Sequence, residues 1–366
     1  MPHFDIIREV NPKKTFRVAS VMGTFDLQCE NIKEHFVGDI DVPKDWTIGL
    51  IVGNSGTGKT TIAKELFNDS YIEKFDYTHE TILDDMPKNK SVDEIVKTFT
   101  SVGFGSTPSW LKPYHVLSNG EKMRVDLARA ILSDNELFVF DEFTSVVDRN
   151  IAKIGSFAMQ KAIRRSEHKK RFIAVTCHFD VEDWLLPDWV FNTNDMTFRI
   201  CEGQKKNRPD IRLEIFEVKK DKQDYWRMFA KYHYLSHSFN NAAKTYVATI
   251  NGVIAAFTSA LPFPHPKLKN TWKGHRTVVL PDFQGIGLGQ IITDYVAQRF
   301  LDKGKQFITT ISTPSFIHQR KKSNKWITTR LPSRNSAGSQ NGKIQNKNIK
   351  GSTSSARITC SFKYVG

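Results

Sequence analysis

The stretch Gly53-Asn54-Ser55-Gly56-Thr57-Gly58-Lys59-Thr60 constrains this chain more than any other, because it fits G-x-x-x-x-G-K-[ST] at every fixed position. Such a loop needs a particular context. The apolar residues 46–52 before it predict a short buried strand, and residues 61–67 after it predict the opening of a helix. Glycines let successive backbone N–H groups turn inward around phosphates, and the helix N-terminus adds the positive end of its dipole. Residues Gly53 to Thr60, with Thr61, would then cradle a nucleoside triphosphate. Lys59 would reach the β- and γ-phosphates, and the Thr60 hydroxyl would ligate Mg²⁺. The alternative is a glycine-rich turn without a ligand. Strand, loop, Lys-Thr and helix in register argue against it.

A second motif follows at the right distance. Leu137-Phe138-Val139-Phe140-Asp141-Glu142 reads as an apolar strand ending in two acids. Asp141 would hold Mg²⁺ and Glu142 would polarise the attacking water. Between the two motifs, Leu117-Ser118-Asn119-Gly120-Glu121 precedes an amphipathic segment at 122–132. Ser145-Val146-Val147-Asp148 follows the acids, and a buried strand at 172–176 delivers His178. Singly, each of these later pieces is common; a lone histidine usually satisfies a local hydrogen bond. Residues 1–45 read as edge strands around the apolar runs Phe16-Arg17-Val18-Ala19 and Phe36-Val37, with an aromatic available to stack on adenine.

The order of these motifs resembles the ATP-binding cassette (ABC) superfamily, over roughly residues 30–200. Gly53 to Thr60 is similar to its Walker A, Leu117 to Glu121 to its signature motif, and Ser145 to Asp148 to its D-loop, with His178 as the switch histidine. The resemblance implies an ATP-dependent head-to-tail homodimer, in which Ser118 and Gly120 of one subunit meet the γ-phosphate held by Lys59 of the other, and Asp148 borders the nucleotide. Asn119 and Glu121 depart from the usual Gly and Gln. Only 57 residues separate Thr60 from Ser118, and none is Gln. The helical subdomain must therefore be short and the Q-loop glutamine is missing, which leaves Asp84 or Asp85 as possible γ-phosphate sensors.

Charge divides the chain. Residues 1–200 hold 25 Lys+Arg against 30 Asp+Glu, whereas 201–366 hold 28 against 9, a net charge of +19. Such asymmetry points to an anionic partner of the second half, most often nucleic acid, with a solubilising basic surface as the alternative. No apolar run approaches the roughly 20 residues of a membrane span, so membrane transport is not expected. Nothing near Met1 reads as a signal peptide, and the four cysteines (Cys29, Cys177, Cys201, Cys360) are scattered without a C-x-x-C pair. These features point to the cytoplasm and argue against structural zinc.

Past a polar linker at 201–210, a new pattern begins. Residues 212–218 alternate as a strand, 224–232 read as a helix running into His233-Tyr234-Leu235-Ser236, and 245–250 with 253–261 predict a hairpin around Asn251-Gly252. The strand ending in Val278-Val279-Leu280 opens through Gln284-Gly285-Ile286-Gly287-Leu288-Gly289 into a helix with apolar residues at 288, 291, 292, 295 and 296. A phosphate at that helix N-terminus would meet free N–H groups. These residues resemble the GCN5-related N-acetyltransferases (GNAT), over about 211–366. Gln284 to Gly289 fits their Q/R-x-x-G-x-G/A loop, which implies a grip on the pyrophosphate of acetyl-CoA. Val278, Val279 and Leu280 would bind the pantetheine arm through their backbone, and the strand at 306–312 would splay away to admit it.

With His233-Tyr234-Leu235-Ser236, Arg276 and the 279–287 run, this half is also similar to the phage Mom proteins, which modify DNA adenines. That similarity implies a DNA substrate and makes His233, Tyr234 and Ser236 the catalytic candidates; the alternative has Tyr234 and Leu235 in the core and His233 as a cap. Residues 321–355 are rich in Lys, Asn, Ser and Gly and read as a mobile basic loop. The expected fold is therefore α/β, a P-loop ABC-type ATPase (1–200) followed by a GNAT-like α+β acyltransferase (211–366). Two other functions fit the same sequence: an N-acetyltransferase for protein or small-molecule amines regulated by ATP, and a non-catalytic nucleic-acid-binding module on an ATP-driven clamp.

Overall fold

The computed structural model describes residues 3–10, 13, 15–26, 32–166, 169–201, 211–234, 238–334 and 358–366. In chain order its first elements are β1 His3–Val10, α1 Phe16–Phe25, β2 Ile32–Asp39, β3 Ile48–Val52, α2 Lys59–Phe67, β4 Tyr71–Ile72, α3 Val92–Ser101, α4 Thr107–Trp110, α5 Asn119–Leu132, β5 Leu137–Phe140, α6 Arg149–Arg164, β6 Arg171–Thr176, α7 Val181–Leu185, β7 Trp189–Asn192 and β8 Thr197–Ile200. Then come β9 Leu213–Val218, α8 Lys222–Ala230, β10 Lys244–Ile250, β11 Val253–Pro262, β12 Thr271–Val279, α9 Leu288–Leu301, β13 Gln306–Ile311, α10 Pro314–Lys322, β14 Trp326–Arg334 and β15 Ile358–Tyr364. The described chain groups into two compact units: Met1–Phe75 with Asp134–Val146 and Ile163–Arg208, and Asp76–Ser133 with Val147–Ala162 and Pro209–Gly366. Helices α3, α4, α5 and most of α6, from the half that the sequence reads as the ATPase, thus share a unit with the second half.

The first unit is built on a six-stranded sheet, order β4-β5-β6-β3-β7-β8. Its strands are parallel except for β8, which returns antiparallel to β7. Strands β3 and β6 are continuous apolar runs with five and five of their residues buried, as a sheet covered on both faces requires. The two phosphate-site motifs leave the same end of this sheet. The P-loop follows β3 and the acidic pair follows β5, with β6 and its exit toward His178 between them. A separate antiparallel pair, β1-β2, sets Phe4 and Phe36 into the core beside Trp189 and Phe191.

Two expectations change here. Phe16-Arg17-Val18-Ala19 is helical, not an edge strand: Thr15 caps α1 by accepting from the Val18 N–H at 3.3 Å. The stretch 185–194, which the sequence suggests as the last strand of the first half, is also not the end of the sheet, because β8 adds a further strand.

In the second unit a seven-stranded sheet runs β14-β15-β13-β12-β11-β10-β9. The hairpin turn is as expected, with Asn251 and Gly252 both at positive φ (50° and 81°) as a type I′ turn demands. Strand β12 pairs with β11 from Trp272 to Val279, but with parallel β13 only at Thr271, Trp272 and Lys273. Beyond Ile308, β13 continues with β15 instead. The sheet is therefore splayed between the later halves of β12 and β13. Helix α8 covers one face, where Trp226 and Phe229 pack on Val247, Phe257 and Val278. Helix α9 covers the other through Leu288, Ile292, Val296, Ala297 and Phe300; Ile291, expected on that apolar face, is exposed.

The basic loop expected at 321–355 begins as ordered structure, since Lys321 and Lys322 end α10 and residues 326–334 form β14. Buried Trp326 anchors that strand, stacking edge-on against Tyr364 and under the Arg320 guanidinium. Residues 335–355, like 202–210 of the linker, lie outside the described residues.

Candidate functional site

In the first unit, Gly56 and Gly58 hold φ of 85° and 81°, the left-handed geometry that turns the loop around its own N–H groups. Gly58 is also fixed by space, because a Cβ there would lie 2.5 Å from the Phe36 ring. Gly53 is fixed the same way by Thr193 and Thr57. The loop is tied from outside by Asn194, whose Oδ1 accepts from the Asn54 N–H at 2.8 Å, and by the Thr57–Thr193 hydroxyl pair at 2.5 Å. Lys59 is buried, and its ammonium donates to the Asn54 carbonyl at 2.7 Å, leaving two further donors for a phosphate. Ser55, exposed, stands at the tip of the loop.

Thr60 donates to Asp141 Oδ2 at 2.7 Å, and the Tyr71 hydroxyl donates to the same oxygen at 2.5 Å. Burial, then that bond to Asp141, push the Tyr71 phenol well above its ordinary range. A hydroxyl and a carboxylate oxygen side by side fit a hard divalent cation such as Mg²⁺. Glu142 projects outward at φ 52°, with its N–H on Asp141 Oδ1, and Thr144 follows at φ 68°. Two side-chain-bearing residues in the left-handed region fix the direction in which Glu142 leaves β5. Beside Thr60 and Thr61 an open cleft of about 780 Å³ is also lined by Arg8, Lys64, Glu65 and Asn68. Among the described residues no aromatic lines it, and Phe4 and Phe36 belong to the core.

Ser118, Gly120 and Asp148 are in the second unit. Ser118 caps α5 in a reciprocal box with Glu121, the residue that departs from the usual glutamine, and Glu121 also accepts from Ser109 at 2.8 Å. Asp148 caps α6 by accepting from the Asn150 and Ile151 N–H groups. Of the acids considered as γ-phosphate sensors, Asp85 is turned inward, accepting from the Thr78 and His79 N–H groups and facing the His79 ring at 2.8 Å. It holds a loop and is not available to a nucleotide. Asp84 is exposed and bonds Thr81.

The splayed strands define the second candidate site. Gly287 caps α9 at φ 90°, and a Cβ added there would meet open space. The first N–H groups of α9, at Leu288 and Gly289, have no acceptor within the helix, so this end suits the pyrophosphate of an acyl donor. Gly289 is the close-packing glycine, because a Cβ there would lie 2.5 Å from the Phe316 ring. The side chains of Val278 and Val279 are core, with Leu280 packed beside them, so any ligand would meet their backbone. Gln284 and Gly285 are placed differently from expectation. The Gln284 amide donates to the Val279 carbonyl at 2.8 Å and accepts from the Gly105 N–H at 2.6 Å, and Gly285 lies against Gly103 and Ala158. They face protein, whereas Gly287 borders open space.

Across the splay, the Tyr234 hydroxyl is 2.7 Å from Ser312 Oγ, just beyond the end of β13. His233 is buried, edge-on to Trp226 and stacked on Tyr234 at 5.1 Å, so it supports the tyrosine from behind. Ser236 lies outside the described residues. Two residues gain importance from the structure. The register of β11 and β12 shifts between Ser259 and Ala260, bulging β12 at His275. Burial, then Arg276, push the His275 imidazole down to about 4, so it is neutral at physiological pH. Arg276 reaches the Ser238 carbonyl at 3.4 Å. No local pattern flags His275 or Ser312; the bulge sets His275 beside Phe239 and Ser259, and the fold brings Ser312 to Tyr234.

Compared with known families, residues 65–145 match the ABC transporter family model and residues 209–316 match the Acetyltransferase (GNAT) family model. No curated protein matches the chain. Among solved structures, it is similar to the ribosomal-protein-S18-alanine N-acetyltransferase of Escherichia coli (14% identity, 42% of this chain, 93% of that one, TM-score 0.31). It is also similar to cbiO1 of Clostridium perfringens, part of the ABC transporter complex cbiONQ (17%, 44% and 76%, 0.32). A third is the IAA acetyltransferase of Bacillus cereus ATCC 14579 (13%, 42% and 99%, 0.30).

Proposed function

We propose that this chain, which joins an ABC-type ATPase to a GNAT-type acetyltransferase, transfers an acyl group from acetyl-CoA, or a related donor, to an amine of nucleic acid, with DNA adenine as the first candidate. The ATPase acts as a head-to-tail homodimer that controls access to that reaction. The observation that carries the proposal is the crowding of cations on and around β12. Lys273 is held below its ordinary range by burial and then by Arg330, and His275 by burial and then by Arg276. Lys273, Arg276 and Arg330 place positive charge around the neutral His275, which favours an anionic partner, and the net charge of +19 over residues 201–366 extends the same preference over the whole half.

The residues of the splay have defined roles in this reading. A bound acyl donor supplies the thioester carbon that the substrate nitrogen attacks, forming a C–N bond as the C–S bond breaks. The α9 N-terminus at Gly287 holds the donor's phosphates. Tyr234, oriented by Ser312, donates a proton to the departing sulfur, and His275, neutral, accepts one from the attacking nitrogen. A base within duplex DNA reaches such a cleft only when extruded from the stack. In the first unit, Lys59 and the P-loop N–H groups bind ATP, Thr60 and Asp141 hold Mg²⁺, and Glu142 orients water for attack.

The test is transfer of radiolabel from acetyl-labelled acetyl-CoA, with ATP and Mg²⁺, to duplex DNA, single-stranded DNA, RNA and a lysine-bearing peptide in parallel. Label on nucleic acid, falling steeply as salt rises, is the expected result. Label on the peptide alone would replace this reading with protein acetylation. Salt-sensitive DNA binding without acetyl-CoA binding would make the second half a binding module.

A further inference from the structure

The acyl-donor loop is seated on the ATPase part of the chain, within one compact unit. Arg124, in the second turn of α5, is fully buried. Its guanidinium donates to the Asp282 carbonyl at 2.9 Å and to the Gly120 carbonyl at 3.4 Å, and it pairs with the Asp282 carboxylate at 3.7 Å. Gly103 sits so close that a Cβ on it would lie 2.8 Å from the Gln284 carbonyl oxygen. Gly105 donates to the Gln284 side chain, Ala158 of α6 lies under Gly285, and Ile154 of α6 shares a core cluster with Phe283, Leu288 and Ile292. Residues 282–285 are thus clamped on every side that does not face the splay. Gly103 and Gly285 both hold left-handed φ, 87° and 86°, and the two bare backbones approach as only glycines can.

We propose that Arg124 is a positioning residue of the acyl-donor site: through Asp282 and Gln284 it sets the loop that ends at Gly287, so that the ATPase helix α5 and acyl-donor affinity are linked. This rests on the acyl-donor reading of Gly287 and deepens it. The guanidinium is sealed from solvent and has one buried N–H, at Nε, without a partner. Burial lowers its pKa while Asp282 and Glu121 raise it, so both carboxylates compensate the buried charge. A shift of α5 cannot be absorbed locally. It must be passed to Asp282, and from there to Gly285 and the start of α9. Gly120 and Ser118 begin the same helix, one turn before Arg124, and Gly120 lies against Asp282, whose Oδ1 is 3.0 Å from where a Cβ would stand. Whatever engages Ser118 and Gly120 is therefore felt at the donor loop, and by linkage the donor is felt there in return.

The experiment measures acetyl-CoA affinity by calorimetry on the full chain carrying Glu142→Gln, with and without saturating ATP and Mg²⁺. It is repeated with Arg124→Met or Asp282→Asn added; Asn keeps the main-chain carbonyl that accepts from Arg124 and removes only the ion pair, so the two variants perturb the contact differently, and a melting curve of each checks that it is folded. We expect ATP to change the acetyl-CoA Kd by at least about fivefold in the parent, the lower end of ordinary coupling. That ratio should collapse toward one in either variant, while each still binds ATP. In turnover, the acetyl-CoA KM should rise and kcat at saturation should hold, a split that general destabilisation does not produce. A parent that binds both ligands with a ratio of one overturns the linkage and leaves the acyltransferase reading standing. No acetyl-CoA binding by any form overturns the acyltransferase reading itself.

Discussion

Gly285 and Gly287 hold nearly the same backbone angle, φ 86° and 90°, yet the structure gives them opposite surroundings. This makes a paired substitution informative. Alanine at Gly287 enters open space, so its cost to folding is the left-handed backbone alone, about 1–2 kcal/mol. Alanine at Gly285 carries that same term and also drives its Cβ to 2.7 Å from the Ala158 Cβ and 3.0 Å from the Gly103 Cα. Backbone cannot yield as a flexible side chain does, so overpacking adds about 1–3 kcal/mol. At roughly 2–4 °C per kcal/mol for a domain of this size, Gly285→Ala should melt about 2–12 °C below Gly287→Ala. Binding should run the other way. Gly287→Ala places a methyl group where a phosphate would stand and should weaken acetyl-CoA at least about tenfold, near 1.4 kcal/mol. Scanning calorimetry and isothermal titration on the same preparations measure both. Equal melting temperatures would refute the assignment of Gly285 to a protein interface. Undiminished acetyl-CoA binding by Gly287→Ala would refute the donor loop.

Three further outcomes follow from the same geometry. Glu142→Gln should lower ATP hydrolysis at least about a hundredfold in a phosphate-release assay with ATP binding retained, because the lost group acts only on water; rapid turnover would move the base elsewhere. Tyr234→Phe should lower acetyl-transfer kcat about 10²-fold or more with little change in acetyl-CoA KM, since the hydroxyl reaches the mouth of the splay and not the phosphate end. His275 is held neutral, about 4 against an ordinary value near 6.5, so the unfolded chain binds its proton first as pH falls. Its contribution is fully present above about pH 6.5 and is lost between there and about 4. The urea midpoint should therefore drop more from pH 7 to pH 5 in the wild type than in His275→Gln, and parallel drops would contradict the burial of a neutral imidazole.

The parts of this molecule that are legible in its sequence are those where chemistry demands fixed residue types in contiguous positions. The P-loop, the Asp141-Glu142 pair and the Asn251-Gly252 turn are of that kind, and so are the strands that deliver them. The short apolar run at Phe16 is ambiguous between helix and strand, and the one deciding signal, Thr15 as a cap, is a single residue. Asp85 looks available because sequence shows charge and not direction; in the fold it is buried, with three donors of the 78–79 turn on its Oδ1. Gln284 matches a ligand-binding pattern, and its amide is instead spent on Val279 and Gly105, the latter 179 residues away. Arg124 and Asp282 are 158 residues apart and carry no local mark of their pairing. The packing of the 282–285 loop on Gly103, Gly105, Arg124 and Ala158 consists of such distant contacts, which periodicity cannot report.

An ATP-controlled acyl transfer to nucleic acid would leave its product in the cell, so mass spectrometry of nucleosides from cells expressing the protein reads it directly. DNA and RNA digests would be compared between wild type, Gly287→Trp and Glu142→Gln. We expect a new acylated nucleoside in the wild-type DNA digest, absent with Gly287→Trp and altered in amount with Glu142→Gln. Unmodified DNA and RNA from cells in which the wild-type protein is expressed and binds acetyl-CoA would contradict that transfer.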